Sequence, residues 1–360
     1  MTVPYTDTIA SRSSFDALKL LLRWRGSVYK MVWRDILVYM VCYFFISLVY
    51  RLVLPEEDRR VFECLVIHCE RFRSLLPLSF VLGFYVALVV SRWWGMYQSL
   101  PWPATTAMLL AAHVQGSGEA AREVRTTLLR HINLGIALTF RLVSPVVKTK
   151  LPTLDHLRVE GFMSDHELRI LEAVEQGTDQ HVAWVPFTWA CRAVERAAHD
   201  DLIRSDLAQK ALTDEILTVR RKCHGFMGYL NYNIPLVYTQ VATIAVYSYF
   251  IVSLFGEQFL DPRQGYEDHK IDFYVPIFAL LQMIMYIGWL KVAHSLLNPA
   301  GEDDDDFELM KLLENHRKMS TLLCDPIPDD FPNQIQAQRD IDDDGLAVTS
   351  GREMIPMRRV

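Results

Sequence analysis

The chain has 360 residues, 51% of them hydrophobic, and a mean hydropathy just above zero. That is too apolar for a soluble chain built on one core, so membrane segments are expected. The formal net charge of −6 is uneven: residues 301–360 carry a net −8 and the remainder +2, which places the acidity in a tail and offers no basic surface for nucleic acid.

The first thirty residues lack an apolar core long enough for a cleavable signal peptide and read as a cytosolic arm over residues 1–31. Four later stretches approach the roughly 20 apolar residues that a membrane-crossing helix needs. The first runs uncharged from Ile36 to Tyr50, extended by Trp33 on one side and Leu52 to Leu54 on the other. The second runs from Ser74 to Ser91, the third from Gly228 to Gly256 and the fourth from Phe273 to Leu290. Trp93, Trp94, Tyr232, Tyr274 and Trp289 stand near their ends, as an interfacial belt would. An even number of spans puts both termini on one side. Lys19, Arg23, Arg25, Lys30 and Arg34 precede the first span and assign that side to the cytosol, and the mostly acidic loop from Glu257 to Asp272 fits outside. The first external loop is neutral on orientation, because Arg51, Arg59, Arg60, Arg71 and Arg73 are mixed there with Glu56, Glu57, Asp58, Glu63 and Glu70. Cys64 and Cys69 in that loop either bridge or remain free thiols.

The expected organisation is therefore two spans with an external loop (residues 32–95), a helical cytosolic domain (96–227), two more spans (228–293), an acidic segment with a cytosolic helix (294–324), and an acidic, disordered tail (325–360). Within the cytosolic domain, residues 119 to 131 and 206 to 222 place apolar side chains at helical spacing. Ile132 to Phe140 is uncharged, but its length favours a buried soluble helix over a fifth span. Few alternating β-branched runs occur. The fold class is all-α integral membrane protein, with breaks at Pro101, Pro103, Pro145, Pro152, Pro186 and Pro299.

The sharpest local feature follows the fourth span: Asn298-Pro299-Ala300-Gly301-Glu302-Asp303-Asp304-Asp305-Asp306-Phe307. Five consecutive carboxylates repel one another unless a cation neutralises them, and calcium takes six to eight oxygens from carboxylates, carbonyls and water. The spacing is not that of an EF-hand, and a solvated, capped helix start explains the same residues. Motifs for nucleophilic, metalloprotease, P-loop or dinucleotide chemistry are missing. One enzymatic reading survives, since Asp-rich helices chelate magnesium and diphosphate in membrane prenyltransferases, although a second facing carboxylate cluster is wanting. In the second span Leu76, Phe80 and Phe84 fall at i, i+4 and i+8, on one helical face, with Ser79 and Gly83 beside them. Such a stripe either packs against neighbouring helices or forms an apolar constriction when several subunits turn it towards a common axis.

Several long stretches resemble the bestrophin family, and the likeness runs from residue 1 to about 325. They are Arg23-Trp24-Arg25-Gly26-Ser27-Val28-Tyr29-Lys30, Ser79-Phe80-Val81-Leu82-Gly83-Phe84-Tyr85-Val86, Arg92-Trp93-Trp94, Leu100-Pro101-Trp102-Pro103, Ile234-Pro235-Leu236-Val237-Tyr238-Thr239-Gln240, Gly288-Trp289-Leu290-Lys291-Val292-Ala293, and the acidic segment Gly301 to Phe307. The resemblance implies a calcium-activated anion channel, with chloride as permeant ion, assembled as a homopentamer around one pore. It maps an apolar neck to Leu76, Phe80 and Phe84 and a cytosolic aperture to Leu207. It maps a calcium clasp to the side chains of Asp303 and Asp306 with the backbone carbonyls of Ala10, Ser295 and Asn298. Departures from the family pattern are Ala104 where Asp is usual, Ala300 where Phe is usual, and His294-Ser295 in place of a Glu-Gln pair.

On this reading the expected partners are the lipid bilayer of the plasma membrane, four further copies of the chain, calcium, and chloride or other monovalent anions. Two other readings stay open at this point: a membrane scaffold that regulates other channels, and the Asp-rich prenyltransferase-like enzyme.

Overall fold

A computed structural model of the protein describes residues 22–116, 118–266 and 271–324. Helix α1 (Val28–Leu48) starts where the Ser27 hydroxyl accepts the Lys30 N–H at 3.3 Å, behind Gly26, whose φ of 67° suits a residue without Cβ. It continues through a wider turn over Val49–Val53, giving a first span of 26 residues. Helix α2 (Glu56–Leu75) occupies the loop between the first two spans, and α3 (Leu78–Gln98) is the second span. The residue before a proline is pushed out of the helical region. Accordingly Leu76, before Pro77, adopts φ −79° and ψ 114°, and the second span starts at Leu78 rather than Ser74.

A helical domain between the second and third spans follows as α4 (Ala104–His113), α5 (Glu119–Val143), α6 (Pro145–Lys150), α7 (Leu154–Val159), α8 (Asp165–Gly177), α9 (Val185–His199) and α10 (Asp206–Asn231). Pro145 and Pro186 sit in first turns, where a missing N–H costs nothing. Helix α11 (Leu236–Gly256) is the third span. It begins after Pro235, so residues 228–231, uncharged and expected to belong to that span, instead complete α10. Helix α12 (Ile277–Leu296) is the fourth span and α13 (Leu309–Cys324) closes the described chain. The tail from residue 325, expected to be disordered, lies outside the described residues. Among the described residues there is no strand.

Three apolar clusters result. The largest centres on α5, where residues 131–140 are all buried, as the uncharged Ile132 to Phe140 run implied. It is flanked by α9, α10 and α13. Gly135 permits that approach: a Cβ there would lie 2.5 Å from the Phe187 ring. The second cluster joins α1, α3, α11 and α12. Its tyrosines keep their hydroxyls bonded, Tyr39 to the Ser253 hydroxyl at 3.1 Å and Tyr43 to the Glu257 carbonyl at 3.0 Å, as polar groups between spans must be.

The third cluster, Tyr50, Val66 and Leu260, joins the end of the first span to α2 and to the segment after α11. Here α2 packs along α11 and the mixed charges of the loop find partners. Buried Glu63 accepts Tyr50 Oη at 2.9 Å, Arg60 at 3.0 Å and Tyr266 Oη at 2.9 Å. Arg51 reaches Asp272 at 2.7 Å, and Arg73 pairs with Glu257. Cys64 and Cys69 are both free thiols.

Candidate functional site

Helix α3 divides its surface sharply. Leu82, Tyr85 and Val89 are buried against the other spans, while Phe80 is 65% and Phe84 59% exposed. The two rings meet edge-on with centroids 4.7 Å apart. On the same side Ser79 is exposed and a Cβ on Gly83 would touch nothing within 4 Å. No part of the described chain covers this face. Leu76 is a correction to the expected stripe. It lies in the Leu76-Pro77 break rather than on the helix, and it is half-buried against the span cluster. Leu207, at the second position of α10, is 79% exposed.

The acidic segment is a tight turn between α12 and α13. Phe307 N–H donates to the Pro299 carbonyl at 2.7 Å, Asp306 N–H to the Asp303 carbonyl at 3.1 Å, and Asp303 N–H to Asp306 Oδ2 at 2.8 Å. The fold thus brings Asp303 and Asp306 together. Asp306 is buried. Burial, aided by the charges of Asp303 and Asp305, pushes its carboxyl up to about 6, against the opposing pull of the Asp303 N–H. Burial and the neighbouring Asp304 and Asp303 also raise Asp305.

Asp304 points the other way. Its carboxylate accepts Lys30 Nζ at 2.5 Å and Gly26 N–H at 3.4 Å and lies 3.7 Å from Arg25, and the Lys30 ammonium holds it below the usual carboxylate range. It ties the acidic turn to the start of the first span. The next residue but two, Phe307, packs at a tilt against Trp93 (5.5 Å) and Tyr97 (6.3 Å) at the C-terminal end of α3. One short turn therefore touches both the first span and the helix that carries Phe80 and Phe84.

Whether these residues suit calcium turns on the donors. Among the described residues no three His, Cys, Asp or Glu side chains gather closely enough to hold a metal, so side chains alone do not make the site. Two carboxylates supplemented by carbonyl oxygens do suit a hard cation. Ser295 lies in the last turn of α12, where helix carbonyls lack partners and the dipole is negative. Asn298 follows at the turn itself, its side chain accepting the Ala300 N–H at 3.4 Å. A Cβ on Gly301 would sit 2.8 Å from Asp306 Oδ2, so the backbone folds closely around a buried carboxylate with a raised affinity for protons, a cradle that fits a cation. Ala10, the remaining expected ligand, lies outside the described residues.

Sequence reasoning missed two features. Lys291 and Asp35 form an ion pair between α12 and α1, because both stood just beyond the uncharged runs used to mark the spans. His294, one of the departures, has Nε2 buried without a hydrogen bond and stacks edge-on against Tyr85 at 6.1 Å.

The fold and site define an all-helical integral membrane protein with four helices long and apolar enough to span and an acidic turn linking its spans. The chain belongs to the bestrophin family: the family model described as "Bestrophin, RFP-TM, chloride channel" matches residues 1–326. It is 46% identical to mouse bestrophin-2 over 331 residues, covering 92% of this chain and 65% of that protein. It is 42% identical to human bestrophin-1 over 332 residues, covering 92% of this chain and 56% of that one. The chain thus spans less than two thirds of the length of either relative. A crystal structure of a bacterial bestrophin homologue from Klebsiella pneumoniae matches with a TM-score of 0.57 at 13% identity, over 84% of this chain and 100% of that one, a likeness of fold. The family is one of channels rather than enzymes, and the prenyltransferase-like reading is set aside.

Proposed function

We propose that the protein is a calcium-activated anion channel. Five copies surround one pore, with both termini in the cytosol and the spans in the plasma membrane, and the pore passes chloride and other monovalent anions. The observation that carries this reading is the bare face of α3: two phenylalanines more than half exposed on a helix whose other face is fully packed. A lone chain cannot close that face into a conduit, and a ring of copies can. Phe80 and Phe84, with Leu76 contributed from the break just before the helix, would form the neck, and Leu207 the cytosolic aperture. An apolar neck blocks ions by refusing to wet, and when it widens the positive ring edges can face a passing anion.

The side chains of Asp303 and Asp306 and the carbonyls of Ala10, Ser295 and Asn298 would hold calcium, whose charge lets the crowded carboxylates lie together and bridges the turn to the N-terminal arm. Asp304, Lys30 and Arg25 keep that turn on the first span, and Phe307 keeps it on Trp93 and Tyr97 of the neck helix. A change in the turn therefore reaches the neck by direct contact.

Planar-bilayer recording of purified protein with calcium varied, beside native mass spectrometry of the same sample, tests the proposal. The expected result is a pentamer whose anion current requires calcium, and a Leu76→Ala, Phe80→Ala, Phe84→Ala triple variant that conducts without it. A monomer or dimer in mild detergent, no current from an intact assembly, or an assembled triple variant that still closes without calcium would overturn it.

A further inference from the structure

The ion pair between spans belongs to neither the neck nor the acidic turn. Lys291 of α12 pairs with Asp35 of α1 and donates to the Met31 carbonyl at 2.8 Å, while Tyr247 Oη of α11 donates to Asp35 at 3.4 Å. These groups neutralise one another. Beside them Arg34 is exposed, has no ion pair among the described residues, and lies 5.4 Å over the ring of Trp33, leaving one net positive charge. From this polar end a groove of about 400 Å³ runs between α1, α11 and α12, lined by Val38, Ile251, Leu254, Met283 and Ile287.

Its length is informative. The lining runs from Arg34 to Cys42 on α1 and from Lys291 back to Met283 on α12, in each case about 12 Å along the helix axis. That is close to one leaflet's share of a hydrocarbon core of about 30 Å. The basic end lies towards the N-terminus of α1, where Trp33 serves as an interfacial anchor. The groove is lined by residues of α1, α11 and α12 and by none of α3, so it is separate from the bare face that carries Phe80 and Phe84. We infer that this groove binds an anionic phospholipid of the inner leaflet, one acyl chain lying along Val38, Leu254 and Ile287 and the phosphate on Arg34. A guanidinium matches two phosphate oxygens at once, and the neutralised Asp35–Lys291 pair adds no repulsion. Only the assignment of the groove to lipid rather than to a neighbouring copy rests on the pore reading of α3.

The test is a lipid titration of the delipidated full-length assembly, with bound lipid counted by native mass spectrometry. Phosphatidylserine is compared with phosphatidylcholine of the same acyl chains, whose choline cation cancels the phosphate charge and leaves no net attraction to Arg34. Wild type should prefer phosphatidylserine by roughly fivefold, the factor for one basic residue at an anionic surface. Arg34→Gln should equalise the two lipids, and Leu254→Trp, which fills the groove, should remove binding of both. Equal binding of the two lipids to wild type, or unchanged binding by Leu254→Trp, overturns the inference. So does a photocrosslinker at Val38 that captures a second copy of the chain in membranes instead of lipid. A protein that carries no current yet retains the lipid preference would lose the channel reading and keep this one.

Discussion

Replacing His316 with leucine should make the protein less sensitive to acid without weakening it at neutral pH. His316 is buried on α13 against the edge of Trp102, ring centroids 5.6 Å apart, and neither imidazole nitrogen has a hydrogen bond. Burial pushes its pKa down from 6.5 to about 4. A base whose folded pKa is depressed binds fewer protons folded than unfolded between those two values, so stability is unaffected above about 6.5 and falls as pH drops towards 4. From the two pKa values the loss is about 2 kcal/mol at pH 5 and about 3 kcal/mol in the limit. At pH 7 the two unpaired buried nitrogens each carry a desolvation cost, on the order of 1–3 kcal/mol, which leucine of similar bulk removes. Thermal unfolding of wild type and His316→Leu from pH 7.5 to 4.5, followed by tryptophan fluorescence, measures both effects. The two melting curves should diverge below pH 6.5 by roughly 4–8 °C at pH 5, with the variant equal or higher at pH 7. Parallel pH profiles, or a variant that melts lower at pH 7, would refute the reasoning, because the ring would then have a partner that makes its burial favourable.

Asp303→Asn or Asp306→Asn should each shift activation to higher calcium with assembly and selectivity intact, since ligand charge helps set affinity in the sensor range of roughly 10⁻⁷ to 10⁻⁵ M. Unaltered calcium dependence in both would return these residues to a capping role. Lys30→Asp and Asp304→Lys should each impair gating and partly rescue one another when combined, because the swap restores the pair across the turn; two additive defects would count against the tether. Gly135→Ala should cost about 1–3 kcal/mol through overlap with the buried Phe187 ring, seen as a lower melting temperature that Phe187→Leu recovers.

Much of the fold was legible because its signals are local. Uncharged runs marked all four spans, and the short length of Ile132 to Phe140 marked it correctly as a soluble core helix. Pro77 and Pro235 carried the information that would have moved two span starts to Leu78 and Leu236 and taken Leu76 off the stripe. Their effect on the preceding residue was outweighed by the absence of charge. The tether of Asp304 was not legible at all: Lys30 stands 274 residues away, and among four consecutive aspartates nothing in the sequence says which one turns outward. The same holds for Glu63, whose partners Tyr50 and Tyr266 come from the end of the first span and from the segment between α11 and α12.

On the proposed reading, the way the turn is held also bounds how strongly each calcium site must favour the open pore. Moving a two-state gate from 1:99 to 99:1 takes about 5.5 kcal/mol of differential binding. If one pore is shared by five equivalent turns, each supplies about 1.1 kcal/mol, so each site needs to bind only about sixfold more tightly in the open arrangement. A difference that small requires no large rearrangement of ligands. It can come from a slight change in how closely Asp303 and Asp306 approach, amplified because Phe307 is packed on Trp93 and Tyr97 and the turn cannot move without the end of the neck helix. The same arithmetic explains why a rigid anchor matters: a shift at the turn that dissipated in a loose connection to α1 would never reach α3. Asp304, gripping Lys30 and the Gly26 N–H, supplies the fixed point against which that small difference acts.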